Sequence, residues 1–247
     1  MIGSRQIYAL DVYNPASIAA DGLQPGARGE DEYGDLYRLV KVGASNITAG
    51  KLQVCPAPKT NHHNIAVSVA VTANGRNRIV TPTLGATAAT LNEYAFGTLV
   101  FNDVSPEGET YRIYSHPAAD ASATLAIKLA PDSPLKTSIT TSSELTLTHN
   151  VWNGVVEAAV EERQPAGVPL VDMTAAYYGW VKTRGDVSLL AGDSFNIGEE
   201  LVQHASTAGA VDAASTTYGT AFAYWTVGKA KVAGVDTEYP TVTLTID

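Results

Sequence analysis

Ile65, Val67, Val69 and Val71 alternate with Ala66, Ser68, Ala70 and Thr72, and Asn74-Gly75 then turns the chain. A period of two places the four aliphatic side chains on one face of an extended strand. Asn-Gly supplies the positive φ angles of a tight hairpin. Further short runs follow: GTLVFND (97–103), ETYRIYSH (109–116), ATLAIKLA (123–130) and ELTLTHN (144–150), separated by Pro, Gly, Asp and Ser. Short strands at this spacing predict an all-β fold, a sandwich or a small barrel. Thr90-Leu91-Asn92-Glu93 alone reads as a helix start, and Gly97 limits it to a turn or two.

Two stretches share a pattern. Tyr33 to Leu52 (YGDLYRLVKVGASNITAGKL) and Tyr178 to Phe195 (YGWVKTRGDVSLLAGDSF) both run from Tyr-Gly through Val-Lys and a glycine-bearing turn to Ala-Gly. The pattern predicts two related hairpins. Between them, Cys55-Pro56-Ala57-Pro58 forbids a central strand and marks a boundary. Asn153-Gly154 and Gln164-Pro165-Ala166-Gly167-Val168-Pro169 read as turns that lead back to the second hairpin. The expected organisation is a discontinuous β-barrel or β-sandwich domain, residues 33–60 with 151–247, interrupted by an inserted β domain at 61–150.

Residues 1–32 are dense in turn formers and read as an extended N-terminal arm. Two readings of the arm stand side by side, a disordered tail and an arm that orders on a neighbouring subunit; Ile7, Tyr8, Leu10, Val12 and Tyr13 are more apolar than a solvated tail requires and suit a strand added to a partner's edge. Tyr8, Tyr13 and Trp180 are the favoured aromatic interface anchors, with Ile7 and Leu10 beside them. Aromatics serve a β core equally well, and the same holds for Trp152, Trp180 and Trp225 read as a sugar-stacking platform.

Composition narrows the function. A formal charge of −9 and only 17% charged residues argue against a phosphate-binding surface and hence against nucleic acid. The single cysteine, Cys55, forms no internal disulfide. The lone cysteine suits assembly in a reducing cytoplasm; the first residues carry no apolar signal core, and no run of about 18 apolar residues offers a membrane span, which predicts no membrane partner. His62-His63 are neighbours that would point to opposite sides of a strand, so they read as linker surface rather than as a metal pair. Neither G-x-S-x-G nor G-x-x-x-x-G-K-[ST] occurs, and the carboxylates fall in loop-like clusters such as Glu30-Asp31-Glu32. The expectation is no catalytic residue, no cofactor and no metal.

The run TLGATAATLNEYAFGTLVFND (83–103), with GETYRIYSHPAADASATLAIKL (108–129), resembles structural proteins of tailed bacteriophages. YYGWVKTRGDVSLLAGDSFNIGEELV (177–202), with the later Val-Gly-Lys-Ala (227–230), is similar to the small β-barrel of phage capsid cement, or head decoration, proteins. The resemblance implies a non-enzymatic virion protein that binds the major capsid protein on the outside of the expanded head. It further implies homotrimers at local three-fold axes and a shell stabilised against internal pressure. The inserted domain is then an outward knob or a second layer of contacts. The alternative is a tail-fibre, baseplate or other glycan- or receptor-binding β module.

Overall fold

A computed structural model describes residues 5–6, 9–19, 22–158, 163–214 and 225–247 of the chain. The fold is nearly all β. Among the described residues α-helix is confined to α1 (Ala9–Val12), and no helix is long and apolar enough to cross a membrane. The chain divides into two compact units, Met1–Pro56 with Val151–Asp247, and Ala57–Asn150.

In chain order the first unit opens with β1 (Arg5–Gln6), β2 (Arg28–Glu30), β3 (Leu36–Val42) and β4 (Gln53–Val54). The second unit holds β5 (Ile65–Ala66), β6 (Ile79–Val80), β7 (Thr98–Asp103), β8 (Thr110–Ser115), β9 (Ile127–Leu129) and β10 (Glu144–Thr148). The first unit resumes with β11 (Asn153–Glu157), β12 (Pro165–Pro169), β13 (Tyr178–Ser188) and β14 (Glu200–Gln203). It ends with β15 (Val211–Ala213), β16 (Thr226–Ala230) and β17 (Thr241–Thr245).

A closed five-stranded barrel organises the first unit. β3 pairs antiparallel with β13, β13 with β12, β12 with β4 and β4 with β11, and β11 returns parallel beside β3. From β13 the sheet continues through β17, β16, β14 and β15, and from β3 through β2 and β1. The β3–β13 pair is buried on both sides. Val40, Val42 and Val181 pack with Val155, Ala166 and Met173, while Tyr37, Leu39 and Trp180 pack with Val12. This explains why both strands read as nearly continuous apolar runs rather than as alternating ones.

The cover on that second side comes from the N-terminal residues, which corrects the expectation of an extended arm over the described part of 1–32. Val12 is buried, Leu23 and Ala27 pack against the same cluster, Ala16 bridges Tyr178, and β2 pairs with β3 from Arg28↔Arg38 to Glu30↔Leu36. Apolar surface on β3 and β13 is satisfied within the chain, so these residues belong to the barrel unit.

The two similar stretches do not form two hairpins. Their strands pair with each other, Val40 opposite Gly179 and Leu39 opposite Trp180, and the repeated glycines differ in conformation: Gly50 has φ +69 while its counterpart Gly192 does not enter the left-handed region. Pro165–Pro169 is likewise no turn. It is β12, buried at all five positions, and Ala166 and Val168 supply the small apolar side chains that the narrow barrel packs on its two sides.

The second unit is a six-stranded antiparallel sheet in the order β5-β10-β7-β8-β9-β6. Its edges meet, because Val67 bridges Pro82 and the Ser68 and Thr83 amides donate to the Thr81 and Ala66 carbonyls. Exposed and buried residues alternate along β8, β9 and β10, as their sequences require. The inner face gathers Leu99, Phe101, Ile113, Leu125, Ile127 and Leu145 around the buried Tyr94. Asn74-Gly75 does turn the chain, with Gly75 at φ +72 and the Asn74 side chain accepting the Arg76 and Asn77 amides.

Trp180 is the barrel's central test. Trp180→Ala should lower unfolding stability by about 3–5 kcal/mol, as for large aromatic deletions in a core, whereas Tyr13→Ala at the surface should change it by less than about 0.5 kcal/mol. Urea unfolding of the two variants checks both values.

Candidate functional site

Asp31 anchors the turn between β2 and β3. Its Oδ1 accepts the Tyr33 and Asp35 amides, each at 3.0 Å, and its Oδ2 accepts the Tyr37 hydroxyl at 3.1 Å. A carboxylate near the start of a turn holds the backbone in this way because its oxygens accept amides two and four residues on. The Tyr37 hydroxyl is pushed up by burial first and by the Asp31 charge second, with a smaller contribution from Tyr13. Lys182, buried on β13, donates to Asp35 Oδ2 at 2.5 Å and to the Asp186 carbonyl at 2.9 Å. The turn is therefore tied to the barrel at two carboxylates.

This rigid turn leaves Tyr33 84% exposed, and Tyr13, within electrostatic range of Tyr37, is 53% exposed. Of the residues expected to lie at an interface, Tyr13 is thus on the surface. Trp180 is 5% exposed and works as core, because the N-terminal residues cover it. Ile7 and Tyr8 lie outside the described residues, and Leu10 lies in α1. Tyr33 was not legible as a surface anchor, since the Tyr-Gly pair it belongs to reads as a strand entry. The Asp31 to Asp35 spacing is the signal that marks its turn.

Three other clusters hold titratable groups. In the second unit His62 is fully buried, which overturns its reading as linker surface: the 3-10 turn Thr60–His62 carries its ring inward. Its Nε2 lies 2.8 Å from the Thr87 carbonyl and its Nδ1 lies 2.5 Å from the Tyr94 hydroxyl. A carbonyl only accepts, so Nε2 carries the proton and Nδ1 accepts from Tyr94. His116 is fixed in the opposite tautomer, with Nε2 accepting the Tyr94 amide and Nδ1 donating to the Pro117 carbonyl. Burial lowers the pKa of both rings, against the opposing pull of those carbonyls.

Glu93 sits beside them. Burial alone would raise its carboxyl, but hydrogen bonds from His149, Lys59 and the Thr90 amide outweigh that and hold it at about 2. Thr90 and Glu93 thus make the reciprocal bond of a capping box without a helix behind it, since Asn92 and Phe96 take positive φ. Asn92 instead ties the turn to His116.

Asp193, His204 and Asp212 are the third cluster, each bringing a possible ligand atom to within 4.8 Å of the others. His204 Nδ1 accepts the Ser206 and Thr207 amides at 3.2 and 2.8 Å, so the neutral ring keeps its proton on Nε2, which faces Asp193 at 3.5 Å. That proton stands where a metal ion would need a lone pair. Burial raises the Asp212 carboxyl, which further weakens it as a ligand. The chemistry is that of a turn staple.

No family model, curated protein or solved structure matches the chain.

Two outcomes follow from these clusters. The folded state favours neutral His62 and His116, so the unfolded chain takes up protons first as pH falls below about 6.5. Their contribution is full above that value and declines toward acid, and the contribution of Glu93 is lost between 4.5 and about 2. The urea midpoint should drop from neutral pH to about pH 5, and His62→Gln should flatten that drop. Zn²⁺ added to the whole chain should leave the thermal midpoint unchanged, since only a ligand that binds the folded state raises it.

Proposed function

We propose that the protein is a non-enzymatic structural component of a tailed-phage virion. It binds the major capsid protein on the outer surface of the expanded head, assembles with itself as trimers, and stabilises the lattice. The observation that carries this reading is the exposed Tyr33, held on the Asp31 turn of the barrel unit, with a second exposed tyrosine, Tyr13, on the same unit. Tyrosine buries a large area with few rotors to freeze, and a turn already locked by hydrogen bonds loses little further entropy on docking.

The described polar clusters favour binding over catalysis for a physical reason. Each buried histidine has its tautomer fixed by amides and carbonyls, and Glu93 is committed to Lys59, His149 and Thr90. Groups held this way stabilise a rigid body. Such a body, repeated over a shell, gains occupancy through many small contacts, and preference for the expanded lattice stabilises that lattice by mass action.

The alternative, a glycan- or receptor-binding β module, uses the same exposed aromatics as stacking surfaces. Co-sedimentation with expanded heads that lack the protein separates the two. Saturable binding is expected, and Tyr13→Ala with Tyr33→Ala should weaken it by about 2 kcal/mol or more with the fold unchanged. Binding to cells or glycans with indifference to heads overturns the capsid reading.

A further inference from the structure

The charge of the chain is unevenly divided. Residues 57–150 hold six Lys or Arg against seven Asp or Glu, so nearly all of the −9 belongs to the barrel unit. Within the second unit three of the six cations converge on one groove of about 350 Å³, lined by Val69, Arg76, Arg78, Ile79 and Lys128 among others. Ile79 and Lys128 are paired across β6 and β9, and Lys128 lies over the Tyr114 ring at 5.7 Å. Val69, Ile79 and Tyr114 are all exposed. Arg76, Arg78 and Lys128 make no ion pair among the described residues.

The barrel unit carries a surface of the opposite character. Phe195 and Gly234 bridge two loops through reciprocal amide bonds, and Gly234 is required there because a Cβ would meet the Phe195 ring. The bridged loops expose Ile197, Val235 and Tyr239 together with the carboxylates of Asp193, Asp236 and Glu238. Asp236 and Glu238 make no ion pair among the described residues.

We infer that the cationic groove of one copy receives the acidic 232–239 loop of a second copy, Val69, Ile79 and Tyr114 packing against Val235 and Tyr239 while Arg76, Arg78 and Lys128 meet Asp236 and Glu238. Charge complementarity selects this occupant: the chain supplies both halves, both are open to solvent in a single copy, and apolar side chains flank the charges on each side. The contact is heterologous, one surface against a different one, so it propagates from copy to copy and closes into a ring where the rotation allows. The proposal deepens the self-assembly part of the proposed function and rests on it, while its test needs no capsid.

Sedimentation velocity of the full chain over a concentration series reads the contact directly. The wild type should associate at low salt and dissociate as salt screens the charges. Arg76→Gln with Arg78→Gln and Lys128→Gln should weaken association by about tenfold or more, and so should Asp236→Asn with Glu238→Asn. Mixed in equal amounts, the two variants should form a pair that stops at two chains, since one retains only the loop and the other only the groove. Circular dichroism confirms that each variant stays folded.

Three results overturn the inference: a wild type that stays monomeric throughout, association that neither variant weakens, or a mixture that forms no pair. A monomeric wild type whose groove captures polyglutamate would assign the groove to a foreign acidic partner instead. A wild type that binds heads but does not self-associate refutes this contact alone, and one that self-associates through this contact but ignores heads refutes the capsid reading alone.

Discussion

The pairing of β3 with β13 is the constraint on which the barrel unit depends. It joins segments far apart in sequence, and it closes the ring that β4, β11 and β12 complete. A strand pair with one buried face needs only alternation. This pair has two, Val40 and Val181 toward one cluster and Leu39 and Trp180 toward another, and so it requires a cover. The N-terminal residues supply that cover through Val12, Leu23 and Ala27. Once they are recruited, the Asp31 turn follows β2 onto the barrel, and Lys182 finds Asp35 beside it. Gly185, at φ +104, is the position that lets the Asp35 carboxylate approach so closely.

Much of the second unit was legible because its strands have one buried face. Leu125, Ile127 and Leu129 alternate with Ala126 and Lys128 in sequence, and all three aliphatics are fully buried. In the barrel unit the same logic failed. Pro165, Gly167 and Pro169 are turn formers by local preference, yet the pairing of β12 with β4 and β13 overrides that preference. The resemblance between 33–52 and 178–195 was real in letters but not in conformation, because what the two segments share is a pairing with each other. The candidate site was legible only in part. Tyr13 is exposed, while Trp180, equally aromatic, is core, and no local pattern separates the two. The difference lies in which apolar surface the chain happens to cover from a distance.

His62 shows the same limit for polar groups. A histidine between two prolines' worth of linker and a strand looks solvated, and its burial depends on Tyr94 and Thr87, 32 and 25 residues away. Burying an imidazole is tolerable only when both nitrogens are satisfied, since an unpartnered polar atom in the interior costs about 1–3 kcal/mol. His62 and His116 meet that condition in opposite tautomers around one tyrosine. His204 meets it with two amides of its own turn at Nδ1 and the Asp193 carboxylate facing Nε2. Fixing a tautomer commits the lone pair, and a committed lone pair is no longer available to a metal ion or a reacting proton.

That commitment shapes where function has room to reside. The polar interior is used for folding, and under the proposed reading recognition falls to what the barrel and the six-stranded sheet leave outside: Tyr33 on a locked turn, the exposed Tyr13, a cationic groove and an acidic loop. These surfaces differ in what they ask of a partner. The Tyr33 turn offers area and rigidity among the carboxylates of Glu30, Asp31, Glu32 and Asp35, and its rigidity suits a contact repeated across a regular lattice. The groove and the loop offer opposite charge beside aliphatic side chains, which favours one orientation and disfavours like-charged alternatives. A chain with its negative charge concentrated in one unit also repels its own kind when barrel approaches barrel. Copies therefore meet with least repulsion when the barrel unit of one faces the nearly neutral second unit of the next, the orientation that a heterologous contact needs.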